Sequence, residues 1–196
     1  LELSLDVIDA VFADASLDGT LAQLLPSGPD RRDDTAYALL LGAIHRADAR
    51  VLLATPYFVP DDALQLALVL AARRGVQVEL LLPARSNHRL ADIARARSLR
   101  ELAAAGVRIH LLPRMLHAKA FVIDAALASA GSINLDGRSL FLNYELNVLL
   151  HDPAEIEALS DWFAARRAQA SPYVARAPGW LRDVGEGMVR ALGFQL

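Results

Sequence analysis

Residues 75–83 read GVQVELLLP, and residues 106–113 repeat the pattern as GVRIHLLP. Each segment opens with glycine, continues as a short apolar run and closes with proline. Each also follows an Ala/Arg-rich stretch with helical spacing. A helix that ends at glycine and leads into a buried strand is the repeating unit of an α/β sheet. The repeat therefore predicts an α/β/α sandwich, in which a mixed β-sheet lies between helices.

The segments on either side of the repeat continue this alternation. We predict helices over residues 34–47, 60–75 and 152–170, strands over 49–58 and 146–152, and a hairpin of strands over 120–124 and 126–134. The 60–75 helix has the clearest limits. Acidic residues occupy its first turn, Arg73 and Arg74 its last turn, and Gly75 is suited to a left-handed cap.

The chain divides into three predicted parts. Residues 1–33 are expected to form an N-terminal helix and a linker, residues 34–172 the α/β domain, and residues 173–196 an amphipathic tail. The tail either docks on the domain or touches a membrane surface. Because the chain begins with Leu1 rather than Met, we expect a processed chain or a piece of a longer one.

Composition narrows the class of protein. The chain has 196 residues, of which 54% are hydrophobic and 22% charged, so it is long and apolar enough for one substantial folded domain. It has no cysteine, which excludes disulfides and thiolate chemistry. Its net charge of −3 disfavours a protein that coats nucleic acid.

Polar side chains recur at every second residue in three segments of the second half of the chain. They are His117 and Lys119, then Ser132 and Asn134, then Asn143, Glu145 and Asn147. Because strand side chains at this spacing share one face, the polar groups are expected to converge on a ligand. Lys119 is the only lysine among 20 basic residues. A compact ammonium is suited to follow a single phosphoryl oxygen, whereas an arginine fork favours planar contacts.

One base, one carboxylate, several neutral donors and a positive charge suit a tetrahedral oxyanion. Histidine can act as base or nucleophile, serine and asparagine donate hydrogen bonds, and glutamate can accept from the second imidazole nitrogen. A phosphodiester is the substrate that this set fits best.

The same residues resemble a known signature. HAKAFVID (117–124) followed by GSIN (131–134) is similar to the HxKxxxxD and GSxN motifs of the phospholipase D superfamily. The blocks TPYFVPDDAL, ELAAAGVRIHLLP, GSINLDGRS and LNYELN resemble the C-terminal half of bacterial cardiolipin synthases. The resemblance runs from about residue 24 to residue 170 and implies the phospholipase D-like α/β/α sandwich.

The resemblance implies a role for each matching position. His117 would be one of two active-site histidines, Lys119, Ser132 and Asn134 would hold the phosphate, Glu145 would orient His117, and Asp124 would be structural. Tyr57 and Arg138 are candidates for lining the pocket; core packing for Tyr57 and a loop cap for Arg138 are the alternatives. Asn87 stands where the resemblance leads us to expect Asp, which bears on the shape of the acceptor pocket.

The function implied is phosphatidyl transfer of the cardiolipin synthase type. A phosphatidyl group would pass from phosphatidylglycerol to an alcohol through a phosphohistidine, without a metal or organic cofactor. The family's mechanism needs two HxKxxxxD motifs and this chain has one. The partner is therefore an N-terminal half in cis, which the start at Leu1 and the predicted N-terminal helix favour, or a second copy in trans. The resemblance also implies association with the bacterial inner membrane, at its cytoplasmic face.

Three alternatives stay open at this point. The first is a hydrolytic phospholipase D, and the second is a single-motif homodimeric phosphodiesterase or nuclease. The third is a non-catalytic partner domain that keeps the motif. The acidic net charge disfavours a nucleic-acid partner. Residues 84–116 carry seven arginines against Asp92 and Glu101, which indicates either a solvated face or a basic rim facing anionic lipid.

Overall fold

A computed structural model of the chain describes residues 22–30, 35–176 and 178–179. The strands in these ranges are β1 (Ala22–Ser27), β2 (Arg50–Ala54), β3 (Phe58–Val59), β4 (Gln77–Pro83), β5 (Arg108–Leu112), β6 (Lys119–Ile123), β7 (Leu127–Gly131), β8 (Leu135–Asp136), β9 (Glu145–Leu150) and β10 (Ser171–Pro172). The helices are α1 (Thr35–Arg46), α2 (Asp62–Arg73), α3 (Arg89–Ala104), α4 (Gly137–Phe141) and α5 (Pro153–Arg167). No helix in these ranges is long and apolar enough to cross a membrane.

Eight strands form one mixed sheet in the order β1-β9-β7-β6-β2-β4-β5-β10. The central strands β2, β4 and β5 are parallel, an arrangement that helices between successive strands make possible. The remaining neighbours are antiparallel, including the predicted hairpin of β6 and β7. The short strands β3 and β8 form a separate parallel pair.

Helices cover both faces of the sheet, which confirms the α/β/α sandwich. Alternate residues of β2 point to opposite sides, so Val51 and Leu53 belong to the core cluster that contains α1, α2 and α3. Leu52 and Ala54 belong to the second cluster, which contains α5. The unbroken apolar run from Val51 to Ala54 is the expected result of burial on both faces.

The limits of the helices follow their capping residues. Asp61 caps α2 by accepting a hydrogen bond from the backbone N–H of Leu64 (3.0 Å). Beyond its end Gly75 has φ +93°, the left-handed conformation that glycine takes without strain. Asp152 caps α5 through the N–H of Ala154 (2.8 Å), and Pro153 occupies the first turn.

The linker predicted within residues 1–33 is wrong for Ala22–Ser27, which form β1 at the edge of the sheet. β1 pairs with β9 alone, and Pro26 lies opposite Leu146. An edge strand tolerates proline, so the Pro and Gly content that indicated a loop did not exclude pairing. The predicted N-terminal helix, and most of the predicted tail after Pro172, lie outside the described residues.

The strand directions bring several chain segments to one end of the sheet. Ala54, at the carboxyl end of β2, pairs with Leu81 of β4 and with Ala120 of β6. The start of β6, the end of β7 and the start of β9 therefore lie at the carboxyl end of the parallel strands. In α/β sheets this end is the usual place for a ligand site.

Candidate active site

The three polar segments predicted to converge lie side by side at this end of the sheet. Lys119 of β6 pairs with Gly131 of β7, and Gly131 pairs with Asn147 of β9. Glu145, the first residue of β9, lies opposite Ser27 of β1. The segments with polar residues at every second position therefore lie along one strip, which crosses the ends of β6, β7, β9 and β1 and which we call the strip.

Lys119 is half-buried at the first position of β6. Its Nζ donates a hydrogen bond to the backbone oxygen of His117 (2.9 Å). Burial lowers the pKa of Lys119 below its ordinary value, and the negative charges of Glu145 and Asp136 partly oppose that shift. The ammonium thus interacts electrostatically with two carboxylates and keeps donor capacity for an anion.

His117 lies just before β6 and its side chain is exposed. In the part of the chain that the structure describes, no hydrogen bond joins its imidazole to Glu145. The carboxylate of Glu145 instead accepts from Asn143 Nδ2 (3.2 Å). The role of Glu145 in orienting His117 therefore stays a prediction, and the imidazole is open to a substrate.

Ser132 and Asn134 follow β7 and line the same strip. The hydroxyl of Ser132 accepts from the backbone N–H of Leu146 (2.9 Å), which fixes it against β9. Asn134 Nδ2 donates to Ser139 Oγ (3.0 Å). Its Oδ1 is buried and has no hydrogen-bond partner within the described residues. Both side chains are thus anchored in the segment that follows Gly131, the β7 residue that pairs with Lys119.

Asp136 is a site residue that the sequence reasoning missed. It is 5% exposed and caps the short helix α4 through the N–H of Ser139 (2.8 Å). Burial raises its pKa above the ordinary value, although backbone hydrogen bonds oppose this. The signal was present, since Asp136 continues the every-second-residue series of Ser132 and Asn134.

Asn147 supports the site rather than lining it. Its side chain is 3% exposed, and its Nδ2 donates to Ser129 Oγ (2.9 Å) while its Oδ1 accepts from the N–H of Ile133 (3.3 Å). The expectation that every polar residue of the third segment faces a ligand is thus wrong for Asn147. A fully satisfied buried amide locks β7, β9 and the GSIN segment into one arrangement.

Gly131 allows these strands to approach closely, because a Cβ at this position would collide with Asn147 Oδ1 and the backbone oxygen of Leu146. We expect Gly131→Ala to lower the free energy of unfolding by about 3 kcal/mol, measured by urea denaturation. Gly42→Ala is the matched control, since a Cβ there meets nothing within 4 Å. It lies within α1 and should be neutral or slightly stabilising. Equal stability of Gly131→Ala and the wild type would contradict the close approach.

Asp124, the last residue of the motif, holds two strands together. It has φ +53°, and its carboxylate accepts from the backbone N–H groups of Asp48 (3.0 Å), Ala49 (2.9 Å) and Arg50 (2.7 Å). Burial would raise the pKa of Asp124, but these hydrogen bonds outweigh it and lower the pKa below its ordinary value. The carboxylate fastens the start of β2 to the end of β6.

Asp124→Asn should lower the free energy of unfolding at neutral pH by about 1–2 kcal/mol. Asn tolerates the positive φ, but its NH2 group replaces one of the two oxygens that accept hydrogen bonds from the backbone N–H groups. The folded pKa is depressed, so the stabilising increment is present above the unfolded pKa, near about 4, and is lost below it. Urea denaturation at neutral pH and again below about pH 3 should show the variant and wild type converging on acidification. Asp161→Asn, an exposed change on α5, serves as control. A difference independent of pH would contradict the role assigned to the charge.

Of the two pocket candidates, Tyr57 faces the loop before α3. Its hydroxyl donates to Asn87 Oδ1 (2.5 Å), and its ring lies edge-on to His88 with the centroids 6.3 Å apart. The pairing of β3 with β8 brings this segment next to Asp136. Arg138 is exposed on α4, where its positive charge acts on Asp136.

The other four histidines occupy separate places in the fold. His45 on α1 contacts the backbone oxygen of Leu41 (2.8 Å), and His88 caps α3. His110 lies 3.1 Å from the buried carboxylate of Glu79, on the face covered by α5. His151 follows β9 and is exposed. Within the described residues, no cluster of His, Asp and Glu side chains is arranged to hold a metal ion.

Comparison with known proteins decides the family. The family model described as cardiolipin synthase, phospholipase D-like domain, matches residues 40–167. The chain belongs to the cardiolipin synthase family of phospholipase D-like domains. Cardiolipin synthase A of Pseudomonas fluorescens (strain SBW25) is 39% identical over 180 residues, which cover 89% of this chain and 37% of that protein. The chain therefore spans little more than a third of that relative's length.

Solved structures share the phospholipase D-like fold. Nuc, a phospholipase D family member from Salmonella typhimurium, matches with a TM-score of 0.66 and 24% identity, over 79% of this chain and 99% of Nuc. Phosphatidylserine synthase from Haemophilus influenzae Rd KW20 matches with a TM-score of 0.70 and 14% identity, over 91% of this chain and 49% of that one. At these identities the likeness concerns the fold alone.

Proposed function

We propose that this chain supplies half of the active site of a cardiolipin synthase-type phosphatidyltransferase. The observation that carries the proposal is the strip at the strand ends, where an exposed imidazole at His117 precedes a half-buried ammonium at Lys119. The pairing of Lys119 with Gly131 supports placing Ser132 and Asn134, which directly follow Gly131 in the GSIN segment, at the same site. The family membership supplies the reaction class, and the strip supplies groups suited to a phosphodiester.

The proposed reaction proceeds in two steps at phosphorus. One active-site histidine attacks the phosphodiester of phosphatidylglycerol, a phosphorus–nitrogen bond forms, and the bond to the glycerol oxygen breaks. The second histidine gives a proton to the departing glycerol and then takes one from the hydroxyl of a second phosphatidylglycerol. That oxygen displaces histidine from phosphorus, so two phosphatidylglycerols yield cardiolipin and glycerol. Lys119, Ser132 and Asn134 hold the phosphoryl oxygens throughout.

The second histidine requires a second motif, either from an N-terminal half in cis or from another copy in trans. Apolar side chains at the edge of the strip offer a contact surface for it: Leu24 (64% exposed), Leu142 (50%), Tyr144 (73%) and Leu146 (48%). Exposed apolar patches of this kind are typical of interaction sites. A lipid substrate requires that the assembled site works at a bilayer, and we propose the cytoplasmic face of the inner membrane.

The experiment incubates phosphatidylglycerol vesicles with this chain, alone and together with an N-terminal half, and identifies the lipid products by mass spectrometry. Cardiolipin and glycerol formed by the pair are the expected products. Phosphatidic acid without cardiolipin would instead indicate water as acceptor, that is, hydrolysis. Turnover by the chain alone would indicate that two copies complete the site. Absence of any lipid product from the pair would contradict the proposal.

A further inference from the structure

Two loops border the candidate active site at this end of the sheet, and apart from His117 their residues take no part in the proposed reaction. Residues 84–88 lead from β4 into α3, and residues 113–118 lead from β5 into β6. The loops are neighbours, because Pro83 pairs with Leu112 and the N–H of Ala84 donates to the oxygen of Leu112 (2.7 Å). The second loop contains His117, so both loops border the candidate active site.

Three arginines at these loops are exposed: Arg85, Arg89 and Arg114. Other arginines of the same region have acidic partners, since Arg95 pairs with Asp92 (2.9 Å) and Arg108 with Glu79 (3.0 Å). Within the described residues, no ion pair involves the exposed three. Their charges are therefore available to an anionic partner.

Three large aliphatic side chains are exposed among these arginines. Leu90 is 48% exposed and Ile93 42% exposed, and the spacing of three residues puts them on one face of the first turns of α3. Met115, in the second loop, is 41% exposed. The six residues form what we call the rim: Arg85, Arg89, Leu90, Ile93, Arg114 and Met115.

We propose that the rim docks this domain onto the surface of an anionic phospholipid bilayer. Arginines would contact the phosphate headgroups, and the aliphatic side chains between them would enter the interface. A nucleic acid would use the arginines but offers no apolar phase to Leu90, Ile93 and Met115. The choice of lipid as partner rests on the proposed function. Docking through the rim would bring the exposed side chain of His117 to the lipid layer that holds the substrate.

Each exposed arginine is expected to raise binding to an anionic bilayer by about fivefold, because each contributes about 1 kcal/mol near such a surface. Removing two charges should therefore weaken binding by about 25-fold. Burying the aliphatic side chains adds an increment that salt does not screen.

The test is vesicle co-sedimentation of this chain, which requires no turnover and so is independent of the proposed reaction. Phosphatidylcholine vesicles with and without phosphatidylglycerol are compared at low and high salt. Arg85→Gln/Arg89→Gln should lose about 25-fold in binding to the anionic vesicles. Leu90→Asn/Ile93→Asn should lose at least about tenfold, including at high salt.

Matched controls exist at other places on the surface. Arg46→Gln/Arg73→Gln removes the same charge at the opposite end of the sheet, where α1 and α2 end. Leu66→Asn/Leu70→Asn replaces exposed leucines (55% and 37%) further along α2. Both controls should bind vesicles as the wild type does, and circular dichroism establishes that all variants fold.

Three outcomes would overturn the docking surface. In one, the controls weaken vesicle binding as much as the rim variants. In another, the rim variants leave vesicle binding intact but lose binding to duplex DNA under the same salt. In the third, light scattering shows that the rim variants change self-association rather than vesicle binding, which would assign the rim to a second copy.

Discussion

Replacing His117 with alanine is expected to abolish phosphatidyl transfer in the assembled two-half enzyme, with a loss of about 10³-fold or more. The reason is chemical, because every proposed step forms or breaks a bond to histidine nitrogen or moves a proton through one. The side chain is exposed and has no hydrogen bond to Glu145 among the described residues, so its loss leaves no buried group unsatisfied. The rate of cardiolipin formation from phosphatidylglycerol is the measurement.

His45→Ala is the matched control for this change. His45 is also exposed, but it lies on α1 and contacts its own helix backbone. The control should retain full turnover, and both variants should keep the wild-type midpoint in urea. A His117→Ala enzyme that keeps more than about a tenth of the wild-type rate would contradict a chemical role for this residue.

The second large effect is expected at Lys119. Lys119→Met should lower kcat by about 10²–10³-fold, because it removes the positive charge that we propose holds the phosphoryl oxygens. Lys119→Arg keeps the charge but presents a wide planar fork in a half-buried position, and we expect an intermediate loss. The two variants, measured in the same lipid assay, separate the contribution of charge from that of shape.

Arg46→Lys is the reverse exchange at an exposed position at the far end of the sheet and should leave turnover unchanged. Wild-type activity in Lys119→Arg would mean that any cation suffices there. The chain's single lysine would then not be required for function at position 119.

Much of the fold could be predicted from local sequence. The glycine-capped helices and apolar strands of the two repeats correspond to α2 with β4 and α3 with β5. What was missed depends on tertiary contacts. β1 carries Pro26 and forms only because β9 offers an edge, and β3 and β8 have two residues each, too few to produce a pattern.

The segments of the candidate site could also be predicted from local sequence. Period-two spacing and the motif resemblance locate His117, Lys119, Ser132 and Asn134, and strand pairing brings their segments together. Spacing alone does not separate residues that face a ligand from those that brace the strands. Asn147 follows the same period as Glu145, yet it is buried in hydrogen bonds to Ser129 and Ile133.

The central claim is that phosphatidyl transfer occurs at this strip through a histidine. In the most direct measurement, this chain is assembled with the second motif, from an N-terminal half or a second copy, and mixed with phosphatidylglycerol. The reaction is quenched within one turnover, and the intact mass of each polypeptide is determined. The account predicts an acid-labile phosphatidyl adduct on one histidine, His117 or its counterpart, that disappears as cardiolipin forms. Cardiolipin formed at the full rate with no such adduct, or by a His117→Ala enzyme, would contradict it.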